Sequence, residues 1–83
     1  MQLAKNVKFR EEKFGGVLFE TRSEKVYTLT PTAAAVIQEI AAGRGDDQIA
    51  PRLAARFAAP DGTIEREVAE FLAQLREKGL VED

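Results

Sequence analysis

Residues 25–34 read KVYTLTPTAA, and this stretch marks the point where the chain changes from strand to helix. Its first half, residues 25–29, is rich in β-branched and aromatic side chains, which favour a strand. Thr30 is a good N-cap, and Pro31 suits the first helical position because the N–H that proline lacks would have no partner there. The stretch therefore predicts a strand over about 25–29 followed directly by a helix over about 31–42.

Two further strands are predicted before this junction. Residues 7–10 read VKFR and alternate apolar with charged side chains, the period-two pattern of a half-buried strand over about 6–11. A second strand, over about 16–21, begins at a pair of glycines and carries the apolar run VLF. The short polar connection at residues 22–24 predicts that the second and third strands form an antiparallel hairpin.

Two more helices are predicted after the first one. Residues 47–58 carry Ile49, Leu53 and Phe57 every four residues on one face. Residues 63–78 follow the turn signal APDG and carry apolar side chains at helical spacing. Acidic residues in the first turn of this helix and basic residues in its last turn complement the helix dipole.

The order of three strands followed by three helices predicts the fold class. Strands that are segregated from helices favour an α+β fold with the helices on one face of a small sheet. We expect a winged-helix-like architecture, with a three-stranded antiparallel sheet followed by a three-helix cluster. At 83 residues the chain is expected to form a single domain, residues 1–83, with one modest core.

Composition limits the function classes that are open to the chain. It has no cysteine and no histidine, which excludes thiolate metal sites, thiol nucleophiles, disulfides and imidazole general bases. The formal net charge is −2, whereas domains that hold DNA by its phosphates usually carry a basic surplus. The sequence shows no signal peptide and no apolar run that could span a bilayer. We therefore expect a cytoplasmic protein with no cofactor, metal, nucleic-acid or membrane partner.

No group of side chains predicts catalysis. Glu11 and Glu12 are neighbours at the end of a predicted strand, so their carboxylates point to opposite faces. Asp46 and Asp47 are explained as the N-terminal cap of the second helix. Ser23 is the only serine and sits in a polar turn with no candidate base. We expect the protein not to be an enzyme.

The third strand is expected to form an edge of the sheet. Residues 25–29 contain no proline and a single charge, Lys25, so little in the strand prevents another chain from pairing with it. A peptide could add there as a fourth strand, with side-chain pockets supplying the specificity. The same edge could instead be covered by a helix or by a second copy of the chain.

The third helix is the candidate wall of an adjacent apolar groove. Phe71 and Leu72 together make its apolar stripe broader than a minimal core seam. From the pattern alone, Leu72 and Tyr27 are as compatible with peptide contact as with the core. Val68 and Leu75 fit the core better.

Two segments of the chain resemble PqqD-like proteins. Residues 26–34, VYTLTPTAA, resemble the strand-into-helix junction of that family, and residues 71–81, FLAQLREKGLV, resemble its closing helix. The likeness extends from about residue 7 to residue 81. It implies a recognition element, or peptide chaperone, for ribosomally synthesised and modified peptides.

The resemblance also implies a site and partners. Family members bind the leader of a precursor peptide as an added strand between the third strand and the third helix. They deliver it to a modifying enzyme, often a radical S-adenosylmethionine (SAM) protein, here expected to be of the SPASM type. The implied peptide-binding residues are Lys25, Val26, Tyr27, Thr28, Leu29, Val68, Leu72 and Leu75. Residues 14–19, FGGVLF, are closer to mycofactocin-type relatives than to pyrroloquinoline quinone (PQQ) proteins, so the pathway stays open.

Two other functions remain compatible with the sequence. A winged-helix transcription regulator would use Arg44, Arg52 and Arg56 along one helix face, although the acidic total opposes it. A purely structural subunit would pair its open third strand with a second copy and form a homodimer.

Overall fold

Three strands are followed by three helices, as the sequence predicts, and a pair of short strands joins the two ends of the chain. The structure is a computed structural model that describes residues 1–82; Asp83, the last residue of the expected domain, lies outside them. The elements are β1 Gln2–Leu3, β2 Val7–Glu12, β3 Gly15–Glu20, β4 Lys25–Leu29, α1 Pro31–Ala41, α2 Asp46–Arg56, α3 Thr63–Glu77 and β5 Val81–Glu82. The predicted α+β fold class is confirmed.

Strands β2, β3 and β4 form an antiparallel sheet in that order. Phe9 lies opposite Leu18, and Leu18 lies opposite Tyr27, so these three side chains share one face of the sheet. Leu18 is only 1% exposed, which identifies this face as the one that packs on the helices. The other face carries Phe19 and Val26 as exposed neighbours on adjacent strands.

A single core lies between the inner face of the sheet and the three helices. Each fully buried aliphatic side chain in it contributes about 1.5–3 kcal/mol relative to an exposed one. The side chains with the least exposure come from β3 and all three helices: Leu18, Val36, Ile37, Ile40, Ile49, Leu53 and Leu75. None of the helices between residues 1 and 82 has the length and apolar character needed to cross a membrane.

The ends of α1 and α3 follow the sequence signals. The Thr30 hydroxyl accepts a hydrogen bond from the Ala33 N–H at 3.2 Å and so caps α1, as predicted. At the end of α3, Gly79 has a φ of 71°, and the Leu80 N–H donates to the Leu75 carbonyl at 2.9 Å. This is the Schellman ending that a glycine after the last helical residue predicts, with Leu80 folded back onto the core.

Helix α2 differs from the prediction at both ends. Its N-cap is Gly45, and the predicted cap residues Asp46 and Asp47 lie in the first turn, where their charge still favours the helix dipole. The Gln48 side chain accepts the Gly45 N–H at 3.1 Å in place of an aspartate cap. The helix ends at Arg56 rather than near residue 58, because Phe57 adopts an extended conformation.

The strand pair β1–β5 was not predicted. Gln2 lies opposite Glu82 and Leu3 opposite Val81, and the Ala4 N–H donates to the Leu80 carbonyl at 2.9 Å. Two residues are too few to show strand alternation, so no local signal marks either strand. The pair holds the N-terminus against the end of α3.

The glycine pair at the start of β3 is required by close packing. Gly15 has a φ of 142°, and a Cβ atom there would lie 2.2 Å from the Leu29 carbonyl oxygen. A Cβ at Gly16 would lie 2.6 Å from the Phe9 ring. Gly15 therefore lets β3 lie against the end of β4, where the chain turns into α1, and Gly16 leaves room for the Phe9 ring of β2.

A carboxylate organises the turn between β3 and β4. Glu20 accepts hydrogen bonds from the Arg22 N–H and the Ser23 N–H, each at 2.8 Å, and from the Ser23 hydroxyl at 2.5 Å. Hydrogen bonds favour the ionised carboxylate, and that from the Ser23 hydroxyl is the main reason why the pKa of Glu20 is lowered.

Substitution of Gly15 tests the close packing of β3 on β4. Gly15→Ala combines a left-handed backbone with a backbone clash, so we expect it to lower the free energy of unfolding by about 3 kcal/mol or more. Gly43→Ala is the matched control, because Gly43 has a φ of 87° but no atom within 4 Å of the added Cβ. It should cost about 1–2 kcal/mol. Equal losses for the two variants in urea unfolding would contradict the clash.

The turn carboxylate makes a pH-dependent prediction. Because folding lowers the pKa of Glu20, its contribution to stability is present above its ordinary value of 4.5 and is lost as the pH falls through the lowered value. An NMR titration of the Glu20 side chain should therefore give a midpoint below 4.5. Ser23→Ala removes the largest cause and should move the midpoint upwards. A midpoint at or above 4.5 in the unsubstituted protein would refute the turn network.

Candidate functional site

Strand β4 has an unpaired side. Among residues 1–82, β4 pairs only with β3, and the short strands β1 and β5 pair with each other. The opposite edge of the sheet, β2, carries Lys8, Arg10, Glu11 and Glu12, charges of the kind that discourage pairing with another chain. β4 carries only Lys25, so it is the less protected of the two edges.

The side chains of β4 alternate between two environments. Leu29 is buried, Tyr27 is half-buried and Lys25 is exposed, and these three lie on the inner face that meets the helices. Val26 and Thr28 lie on the outer face, where Val26 is 57% exposed. The predicted set 25–29 thus divides into three side chains on the inner face and two on the outer face. All five belong to the strand whose backbone is open on one side.

A small cavity lies between β4 and the end of α3. It has a volume of about 130 Å³, and its floor is formed by Leu18, Leu29, Leu75 and Leu80, all nearly inaccessible to solvent. Tyr27, Thr28, Phe71, Gln74 and Lys78 form the rest of its lining. The floor is therefore apolar and the rim polar.

A larger cavity lies next to the first one, towards the start of α1. It has a volume of about 400 Å³ and is lined by Thr30, Thr32, Ala33, Val36, Glu67, Val68, Glu70, Phe71 and Gln74. Phe71 and Gln74 line both cavities, so the two lie next to each other along α3. We call the two together the β4–α3 cleft.

Of the three residues on α3 that the sequence analysis gave as peptide-binding, two line the cleft and one does not. Val68 lines the larger cavity and Leu75 the smaller one. Leu72 belongs to the same buried core cluster as these two residues but lines neither cavity. The side chain that reaches the cleft beside it is Phe71, which is only partly buried and packs against the core.

Sequence reasoning missed most of the helix face that lines the cleft. This face consists of Glu67, Glu70, Phe71, Gln74 and Lys78, which recur at i, i+3, i+4, i+7 and i+11. Only one of the five is apolar, so hydrophobic periodicity does not mark it. Phe71 is the one member with a sequence signal, because it makes the apolar stripe broader than a core seam; the four polar members have none.

The arginines considered for nucleic-acid binding are engaged by neighbouring side chains. Arg52 donates to the buried Glu39 carboxylate at 2.5 Å, and the Arg44 Nε atom lies 3.8 Å from its other oxygen. A buried charge needs such partners, which explains both arginines structurally. The Arg56 guanidinium carbon lies 5.5 Å from the centroid of the Phe57 ring. This arrangement gives the regulator alternative no support.

A comparison with protein families found a match over most of the chain. A family model described as Coenzyme PQQ synthesis protein D (PqqD) matches residues 15–81. The match begins at the glycine that packs on β4 and ends in β5, so it includes all of the β4–α3 cleft. A comparison with curated proteins found no match.

Two solved structures share the fold over almost the whole chain. One is TbiB1 in complex with the TbiA(beta) leader peptide, with a TM-score of 0.85, 21% identity, and coverage of 99% of this chain and 95% of that one. The other is lasso peptide synthetase B1 complexed with the leader peptide, with a TM-score of 0.82, 24% identity, and coverage of 99% and 96%. At these identities the likeness shows a common fold.

Proposed function

The chain belongs to the PqqD family, and we propose that it is a non-catalytic peptide chaperone for a ribosomally synthesised precursor peptide. In this proposal it binds the leader of the precursor by strand addition to β4 and presents it to a modifying enzyme. The observation that carries the proposal is an edge strand with little charge lying beside a cleft with an apolar floor.

The solved relatives support a leader peptide as the ligand. Both are complexes with leader peptides, and both share their fold with this chain over 99% of its length. We extend that ligand class to this chain because its β4–α3 cleft offers the two things that an added strand needs. These are unpaired backbone groups along β4 and an adjacent apolar surface that can receive every second side chain of the peptide.

Tight binding of a leader requires both the open backbone of β4 and the apolar surface of the cleft. A backbone hydrogen bond contributes about 0.5–1.5 kcal/mol net, and ordering a disordered peptide costs about 2–5 kcal/mol of the gross energy. A ladder of a few bonds therefore roughly offsets the ordering. Contacts with Tyr27, Phe71 and the leucine floor must supply the remaining affinity, and aromatic side chains are the usual source of it.

The site residues follow from these roles. Residues 25–29 supply the ladder, with Val68 and Leu75 as parts of the cleft wall. Phe71 and Gln74 join them because they line both cavities. Leu72 supports the wall from the core side and does not itself meet the peptide.

The partners are proposed by analogy with the family. We propose that the modifying enzyme is a radical SAM protein of the SPASM type and that the chain acts in the cytoplasm. Homodimerisation through the open β4 edge is a second candidate role, because the same backbone groups would pair with a second copy. A dimer formed this way would compete with leader binding.

An NMR titration tests the leader proposal. The leader segments of short peptides encoded by neighbouring reading frames are added in turn to isotope-labelled protein, and we expect one of them to cause shift changes in residues 25–29 and along the cleft face of α3. Phe71→Ala should weaken the affinity about ten-fold or more, because an aromatic anchor is lost. Phe14→Ala is the matched control, since Phe14 is 53% exposed and lines no part of the cleft.

Two outcomes would contradict the proposal. One is the absence of shift changes in β4 and α3 at saturating peptide. The other is an equal loss of affinity for Phe71→Ala and Phe14→Ala, with both variants folded by circular dichroism. Shifts in β4 that depend on protein concentration and not on peptide would favour the homodimer.

A further inference from the structure

The two ends of the β4–α3 cleft carry opposite charges. Glu67 and Glu70 line the larger cavity at the α1 end, and Lys78 lines the smaller cavity at the other end. None of these three side chains takes part in an ion pair with another residue between 1 and 82. Lys25 begins β4 at the same end as Lys78, because Glu20, its partner across the sheet, lines a surface cavity together with Lys78. The Glu20 carboxylate is bonded to the turn.

The elements that border the cleft run in opposite directions. Tyr27 and Leu29 share the smaller cavity with Lys78, whereas Thr30 and Thr32 share the larger one with Glu67. A strand added antiparallel to β4 would therefore run parallel to α3. Its N-terminal end would lie beside the two glutamates, and its C-terminal end would lie beside the lysines.

The spacing of the charges sets a spacing in the peptide. From Glu67 or Glu70 to Lys78, α3 rises by about 12–16 Å at 1.5 Å per residue. An extended peptide covers that distance in about four or five residues, at about 3.3 Å each. Between the charged ends, alternate peptide side chains would face the Phe71 ring and the leucine floor, which are apolar.

We propose, on the basis of the proposed function, that the cleft selects a leader segment with a basic residue followed about four or five residues later by an acidic residue. Apolar side chains lie at alternate positions between them. The charge pattern fixes the direction of the bound segment as antiparallel to β4, because the parallel direction would place like charges together at both ends. The part of the precursor that follows the leader then leaves the cleft at the end marked by Lys25 and Lys78.

A charge exchange in peptide and protein tests this selection. The probes are two versions of the leader segment that binds in the titration above. One has Lys at the N-terminal flank and Glu at the C-terminal flank of the bound stretch, and the other has the two exchanged. By fluorescence anisotropy we expect the Lys-first version to bind about ten-fold more tightly at low salt, with a smaller difference at high salt.

The protein variants reverse the charge at one end of the cleft at a time. E67K/E70K should abolish or invert the preference, and K78E should reduce it. E65K/E77K is the matched control for the double variant, because it makes the same change in net charge on α3 at two exposed residues that do not line the cleft. Circular dichroism establishes that each variant is folded.

The outcomes separate this inference from the proposed function. Equal affinity for the two probes, or the same response in E67K/E70K and E65K/E77K, would overturn the charge selection and leave leader binding in place. If neither leader version binds the unsubstituted protein at any salt concentration, leader binding and the charge selection both fail.

Discussion

The open side of β4 is the constraint on which the rest of the structure depends. Each residue of a strand carries an N–H and a C=O, and on an edge strand part of these groups face away from the sheet and need another partner. β4 gains no second neighbour from residues 1–82, because Thr30 and Pro31 turn the chain into α1 directly after Leu29. Helix α3 then lies beside the open edge, and the space between them is the β4–α3 cleft.

Several distant parts of the chain maintain this arrangement. Gly15 lets β3 approach the end of β4, and Glu20 organises the turn that leads from β3 into β4. The Schellman ending of α3 places Leu80 in the floor of the cleft, and the β1–β5 pair holds that end of the helix against the N-terminus. The cleft is therefore shaped by the fold as a whole, while the rim that faces a ligand is built from a few exposed polar side chains.

The sequence predicts the sheet and the three helices because each has a local signal: alternation in β2, a capping threonine and proline in α1, and glycines after α1 and α3. The β1–β5 pair has no such signal, since it joins two-residue strands from opposite ends of the chain. The edge position of β4 follows from strand order. The cleft face of α3 does not, because hydrophobic periodicity marks the buried stripe that contains Leu72 and, on the cleft face, only Phe71.

Amide hydrogen exchange in the free protein tests the open edge most directly. If β4 is bonded on one side only, protected and rapidly exchanging amides should alternate along residues 25–29, while β3 is protected throughout. The pattern should not change with protein concentration. Uniform protection of all β4 amides in dilute protein without peptide would show that the edge is already satisfied, and strand addition could not then be the binding mode.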